Sequence, residues 1–285
     1  MRSGYYFLLV VMFHFSVFAS ERPIYELTEV ANAGDVSAQL ELGQLYKYGV
    51  GVEQNFTKAA KWLQRAALKD DPTSMYELGM LYLEGQGVTK NEQTATFWLE
   101  SAAHMEHVDS QVMLGWIQLK GYGVKKNVLQ ALIWGRSAAR QNSLAGMELL
   151  ASAYLADSPY RDVPLAIEWF EKAAEGGYVS AQYQLGKIYY DGILVPQDSQ
   201  LALLWIERSA QAGLGDAQKV LADFYKDGFG VGIDLVKAYV WSSLAVANGA
   251  DAKGFRDELA KLLSPDELRV AQKEAKVLFN EQKGS

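Results

Sequence analysis

Between residues 36 and 250 the apolar positions of this chain recur at helical spacing, in runs that come in pairs. In the first run Ala38, Leu42, Leu45 and Tyr46 share one helix face. In the second, Ala59, Trp62, Leu63, Ala66 and Ala67 do the same. Gly49-Val-Gly-Val52 lies between them. Glycine can take the left-handed conformation that ends a helix, and the closing valine can tuck the connector onto the core. The pattern predicts a helix–turn–helix unit.

The unit repeats. Six of the seven tryptophans stand at 62, 98, 134, 169, 205 and 241, in steps of 36, 36, 35, 36 and 36. A fixed period of this size marks stacked supersecondary units. Ala59, Ala95, Ala131, Ala166, Ala202 and Ala238 precede each tryptophan by three, and paired small residues such as Ala66-Ala67 follow it. Upstream run Leu42-Gly43, Leu78-Gly79, Leu114-Gly115, Leu150-Ala151, Leu185-Gly186 and Leu221-Ala222, with Tyr46, Tyr82, Gln118, Tyr154, Tyr189 and Tyr225 beyond them. Small residues let neighbouring helix backbones approach closely, and the large aromatics fill wider gaps. The in-register tryptophans are therefore expected in the core.

These columns resemble the Sel-like repeat family (the Sel-one type), relatives of the tetratricopeptide repeats. The resemblance implies an all-α fold: a right-handed α-α superhelical solenoid of about six helix-turn-helix repeats with helical caps. The repeats run 36–71, 72–107, 108–142, 143–178, 179–214 and 215–249. Residues 20–35 form an N-terminal capping helix, since Ala31-Asn-Ala-Gly34 matches Ala210-Gln-Ala-Gly213. Residues 250–285 form C-terminal capping helices, one opened by Ser264-Pro-Asp-Glu267 as cap, first-turn proline and capping-box glutamate. Repeat 5 loses the second glycine in Gly192-Ile-Leu-Val195. Repeat 4 has no glycine connector, but Asp157-Ser-Pro-Tyr-Arg-Asp-Val-Pro164, whose two prolines set a different exit.

Composition narrows the function. With 49% hydrophobic and 21% charged residues the chain is suited to a packed fold. It has no cysteine, which excludes disulfides, thiolate metal sites and cysteine nucleophiles. A net charge of −7 with no basic run makes nucleic acid and anionic membranes poor partners. At the N-terminus Arg2 precedes an apolar run from Tyr5 to Phe18, broken at His14 and closed by Val17-Phe18-Ala19. The run is shorter than the roughly 20 residues that span a bilayer, so residues 1–19 read as a cleavable signal peptide. The expected location is periplasmic or secreted, with no stable membrane insertion after cleavage.

No catalytic, cofactor-binding or metal residue is assigned. His104 and His107, with Glu106 and Asp109 nearby, fall at a turn and show no third ligand. Nucleophile elbows, metalloprotease helices and dinucleotide loops are absent. The family resemblance implies protein–protein interaction: an exported scaffold or adaptor, not an enzyme, in a bacterial envelope assembly or signalling. The competing readings are a hydrolase of cell-wall or β-lactam substrates and a periplasmic regulator of a membrane sensor. By the same resemblance one face of each first helix lines a concave groove able to hold another protein or peptide. That face is apolar in repeats 2 and 3, at Tyr76, Met80, Leu83, Val112, Trp116 and Leu119, and Tyr183 and Tyr190 extend it. Tight winding of the array would instead bury it against neighbouring repeats.

Overall fold

The computed structural model describes residues 22–284. The expected signal peptide, residues 1–19, lies outside them. All the regular structure among the described residues is helical, and it divides into two compact units, one ending at Met105 and one beginning at Glu106. The first holds α1 (Ile24–Asn32), α2 (Val36–Tyr48), α3 (Phe56–Ala67), α4 (Pro72–Glu84) and α5 (Glu92–His104). The second opens with α6 (Val108–Lys120), α7 (Val128–Arg140), α8 (Leu144–Leu155), α9 (Val163–Glu175) and α10 (Val179–Asp191). It continues through α11 (Ser199–Gln211), α12 (Gly215–Asp227), α13 (Leu235–Ala247), α14 (Lys253–Leu262) and α15 (Pro265–Gly284). Within each unit, helices consecutive in the chain form antiparallel hairpins that stack on one another, the helical-repeat fold that the periodicity predicts.

Local signals set the helix ends. Every second helix of a hairpin starts at an Asn or Asp: Asn55, Asn91, Asn127, Asp162, Asp198 and Asp234. Each takes an extended backbone and accepts a hydrogen bond from the amide three residues on, an N-cap worth about 1 kcal/mol. The amide of the same residue donates back to the last turn of the first helix, as from Asn55 to the Tyr46 carbonyl at 2.8 Å. Repeat 4 makes this bond too, from Asp162 to Tyr154 at 3.0 Å, although its connector is one residue shorter. There α8 ends at Ala156 in extended backbone and Pro164 sits in the first turn of α9, the different exit that the prolines imply.

In the glycine connectors the two glycines do different things. The first ends the helix, with φ near +71° at Gly49 and Gly85. The second also has positive φ, +69° at Gly51 and +67° at Gly87. Nothing faces Gly51, but a Cβ on Gly87 would overlap the Phe56 backbone at the start of α3. The second glycine thus lets one repeat's connector lie on the preceding repeat.

Three of the hairpins close where the first helix lacks a side chain. A Cβ at Gly43 would lie 2.6 Å from Leu63 Cγ, at Gly79 2.9 Å from Leu99 Cγ, and at Gly186 2.7 Å from Ile206 Cγ1. Leu63, Leu99 and Ile206, each following a tryptophan, are fully buried. The tryptophans themselves depart from expectation. Trp205 is 7% exposed, but Trp62, Trp98, Trp134, Trp169 and Trp241 are only half-buried. These five rim the core, and a cation three residues on covers two of their rings, Arg65 over Trp62 at 4.5 Å and Lys172 over Trp169 at 4.4 Å, as Arg208 covers the buried Trp205 at 4.8 Å. The sequence period found the right turn of the helix but the wrong residue for its centre.

Both array ends are covered. Leu27 and Ala31 of α1 pack on Ala38, Leu42 and Leu45 of α2. Gln39 Nε2 donates to the Ala31 carbonyl at 2.8 Å, as Gln182 does to Ala174 and Gln218 to Ala210, both at 3.0 Å. So α1 stands to α2 as α9 stands to α10. At the other end Glu267 and Ser264 form the reciprocal capping box, and α15 packs Ala271 and Ala275 on the core of α13. Gln282 then donates to the carbonyls of Ala210 and Gln211, in the last turn of α11.

Two outcomes test this packing. Phe170→Ala is expected to cost about 3–5 kcal/mol and Trp169→Ala clearly less, because Phe170 is 2% exposed and Trp169 rims the core. Urea melts in which the tryptophan variant is the weaker one would contradict the assignment. Gly51→Ala should cost the left-handed penalty alone, about 1–2 kcal/mol. Gly87→Ala should add roughly 1–3 kcal/mol of overpacking. Equal losses in the two variants would show that Gly87 does not bear on α3.

Candidate functional site

Each unit has its own candidate face, made by the first helices of its hairpins. The first unit contributes Tyr76, Met80 and Leu83 of α4, all half-buried and part of a surface open to solvent. Beside them Lys47 of α2 pairs with the buried carboxylate of Glu77, and the Tyr48 hydroxyl donates to the same carboxylate at 3.4 Å. Burial alone would lower the Lys47 pKa, but the Glu77 charge and hydrogen bond outweigh it and raise the value.

The second unit changes the picture. Val112, Trp116 and Leu119 are 5%, 8% and 5% exposed, inside a cluster with Leu149, Leu150 and Tyr154. The expectation of an open apolar patch does not hold at these three positions. The reason lies in two glycines. Gly115 on α6 and Gly135 on α7 leave a notch that Leu149 of α8 fills; a Cβ on Gly115 would overlap its Cδ2, and one on Gly135 would lie 3.3 Å from its Cγ. Where repeats 1, 2 and 5 put a leucine or isoleucine after the tryptophan, and repeat 4 a phenylalanine, repeat 3 has Gly135, and the next repeat supplies the missing side chain. This draws α8 onto α6 and closes the α6 face, while Lys120 lies over the Trp116 ring at 5.6 Å.

Further along the second unit the first-helix face is open at α10 and α12. Tyr183 and Tyr190 of α10 are half-buried. Tyr190 packs edge-on against Phe229 at 4.9 Å and tilted on Phe224 at 5.0 Å, leaving Lys187 over its ring and paired with Asp191 at 3.3 Å. Lys219, Asp223 and Lys226 of α12 continue the row. This stretch offers tyrosine surface interleaved with both signs of charge.

Next to it stands a polar cluster that the sequence did not signal. Glu148 of α8 is 7% exposed, and its carboxylate accepts from the Ser180 hydroxyl. Burial raises its pKa, against the opposing pull of that hydrogen bond and of the Lys120 charge. Burial, aided by the charges of Glu148 and Asp109, pushes the Tyr178 hydroxyl up to about 12. The Gln39, Gln182 and Gln218 column could have been found from sequence, because glutamine recurs there in register.

The two histidines do not form a site. His104 ends α5 in the first unit and His107 begins α6 in the second. His107 is the N-cap of α6, its Nδ1 3.3 Å from the Ser110 amide and 3.0 Å from the Ser110 hydroxyl, where Asp35, Asp71 and Ser143 cap other first helices. Among the described residues no three His, Asp or Glu side chains gather as metal ligands. No helix among them is long and apolar enough to cross a membrane.

Comparison with known proteins places this architecture. The sequence matches the Sel1 repeat at residues 36–71, 72–107, 108–143, 145–178, 179–214 and 215–249. No curated protein sequence matches the chain. Among solved structures, a Sel1 repeat protein from Oxalobacter formigenes superposes with a TM-score of 0.69 at 28% identity, over 79% of this chain and 99% of its own. A protective antigen of uropathogenic Escherichia coli with an SLR fold superposes at 0.55 and 26% identity, over 91% of this chain and 63% of its own. A sel1 repeat protein from Klebsiella pneumoniae shares the fold at 0.50 and 22% identity, over 70% and 99%.

The Glu148 cluster makes a pH-dependent prediction. Because burial raises its pKa, the folded protein holds the proton more tightly than the unfolded chain. Stability is then greatest with the carboxyl protonated and falls as pH rises through the raised value. Glu148→Gln keeps an acceptor for Ser180 and removes the charge. Thermal melts should show the variant above the wild type at pH 7–8 and level with it near pH 4. A variant less stable at pH 8 would mean that the Lys120 and Ser180 interactions outweigh desolvation.

Proposed function

Since the chain belongs to the Sel1 repeat family, whose members generally mediate protein–protein interaction, we propose that it is an exported scaffold or adaptor of the bacterial cell envelope. It holds another protein on the first-helix face and acts by binding, without catalysis. In one unit the contacts are made by Tyr76, Met80 and Leu83, and in the other, taken by itself, by Tyr183 and Tyr190. Val112, Trp116 and Leu119 act beneath the surface, keeping α6 and α8 fixed.

The observation that carries this reading is the face of α10 and α12. Half-buried tyrosines there stand between Lys187, Lys219, Asp223 and Lys226, and rigid aromatic surface within a polar surround is what protein interfaces use. The periplasmic or secreted location is supported by the pattern of residues 1–19.

Site-specific photo-crosslinking in cells tests both parts. A photoreactive residue at position 80 or at position 187 should capture a discrete protein, and one at Gln64, exposed on α3, should not. Fractionation should find the chain outside the cytosol and shortened by about 19 residues. No capture from 80 and 187, with the protein folded and exported, would overturn the interface; an unprocessed cytosolic chain would overturn the location.

A further inference from the structure

A second surface, separate from the first-helix face, sits where the repeat pattern breaks. The connector between α8 and α9 and the outer side of α7 enclose an open cleft of about 400 Å³. Its apolar lining includes Leu129, Ile133 and Tyr160, which are 44%, 47% and 44% exposed. Arg136 and Arg161 stand at its edge. Neither forms an ion pair among the described residues, in a chain of net charge −7.

The repeat columns show that Arg136 is out of place. Two residues after each in-register tryptophan stand Gln64, Glu100, Arg136, Glu171, Glu207 and Ser243. In the next hairpin Glu171 accepts from the Tyr189 hydroxyl at 3.3 Å. In this one the polarity is reversed: Arg136 donates to the Tyr154 oxygen at 3.0 Å. Tyr154 therefore keeps its hydroxyl proton for another acceptor, and Arg136 keeps further N–H donors. Arg161 adds a second guanidinium. The one carboxylate in the lining, Asp162, is committed to capping α9 through the Leu165 amide at 3.0 Å.

We propose that this cleft binds a carboxylate of a partner protein, carried by an extended segment in which Asp or Glu neighbours a large apolar side chain. The guanidiniums and the Tyr154 hydroxyl take the carboxylate oxygens, a geometry that arginine matches in bidentate fashion. Leu129, Ile133 and the Tyr160 ring take the apolar neighbour. Two cations at one small cleft suit a single acidic side chain and not a polyanion, which would need a basic stripe.

The test uses the purified full chain and two fluorescent peptides, acetyl-Ser-Phe-Glu-Asp-Leu-Ser-amide and its Gln-Asn counterpart. The acidic peptide should bind at least tenfold more tightly than the neutral one at low salt. The double variant Arg136→Glu, Arg161→Gln should erase the difference. Both substitutions install the residue found at the same column of other repeats (Glu171 and Glu207; Gln54 and Gln197), so an unchanged melt is expected. Acetate should not compete at concentrations matching the peptide. Equal binding of the two peptides, undiminished binding by the folded double variant, no binding of either peptide, or saturation by acetate alone would each overturn the proposal. The readout is peptide affinity at this cleft, so failure here leaves the first-helix face untouched.

Discussion

Three hairpins of this protein close on the absence of a side chain, where two others carry only the methyl of Ala151 or Ala222. At Gly43, Gly79 and Gly186 the first helix presents bare backbone, and Leu63, Leu99 and Ile206 press against it. Side-chain attraction falls steeply with separation, so one added carbon at these points would force the leucine or isoleucine to shift and loosen its packing. The alanine columns of the second helices serve the same end from the other side, and the half-buried tryptophans seal the edge where the close-packed centre meets water.

One change in this scheme reorganises its surroundings. Repeat 3 replaces the pressing leucine by Gly135, and Leu149 of the following repeat takes the vacant space. Two adjacent repeats thereby become interlocked, α6 is covered, and the apolar row of Val112, Trp116 and Leu119 becomes core. The same pair of repeats carries the irregular connector with two prolines and the reversed Arg136–Tyr154 pair. Departures from the repeat thus gather in one part of the second unit. A repeat array can vary there because each hairpin answers mainly to its neighbours.

Much of the fold was legible in the chain. The tryptophan period, the Leu-Gly column, the glycine connectors and the Ser264 capping box each report a local constraint, and local constraints survive in sequence as fixed spacings. The site was less legible. Helical periodicity put Tyr76, Met80, Leu83, Tyr183 and Tyr190, all half-buried, on one face of their helices, and it gave Trp116 the same standing, although that side chain is 8% exposed. Periodicity says which way a residue points within its own helix, not what the next hairpin lays over it. The tryptophan rim was missed differently: the spacing found the right turn of the helix, but Phe170, the next residue round the helix, enters the core while Trp169 stays at its edge.

The sequence by itself determined the helices, their pairing, the number of repeats and the positions where the pattern breaks, because capping, turn formation and close backbone approach act over a few residues. Only the tertiary structure decided which faces are covered and which charges lack a partner. The filling of the Gly115–Gly135 notch by Leu149, the burial of Glu148 beside Ser180, and the meeting of Arg136 with Tyr154 join residues 14 to 34 positions apart. Burial and electrostatic pairing depend on distance in space, and no spacing along a single helix records it.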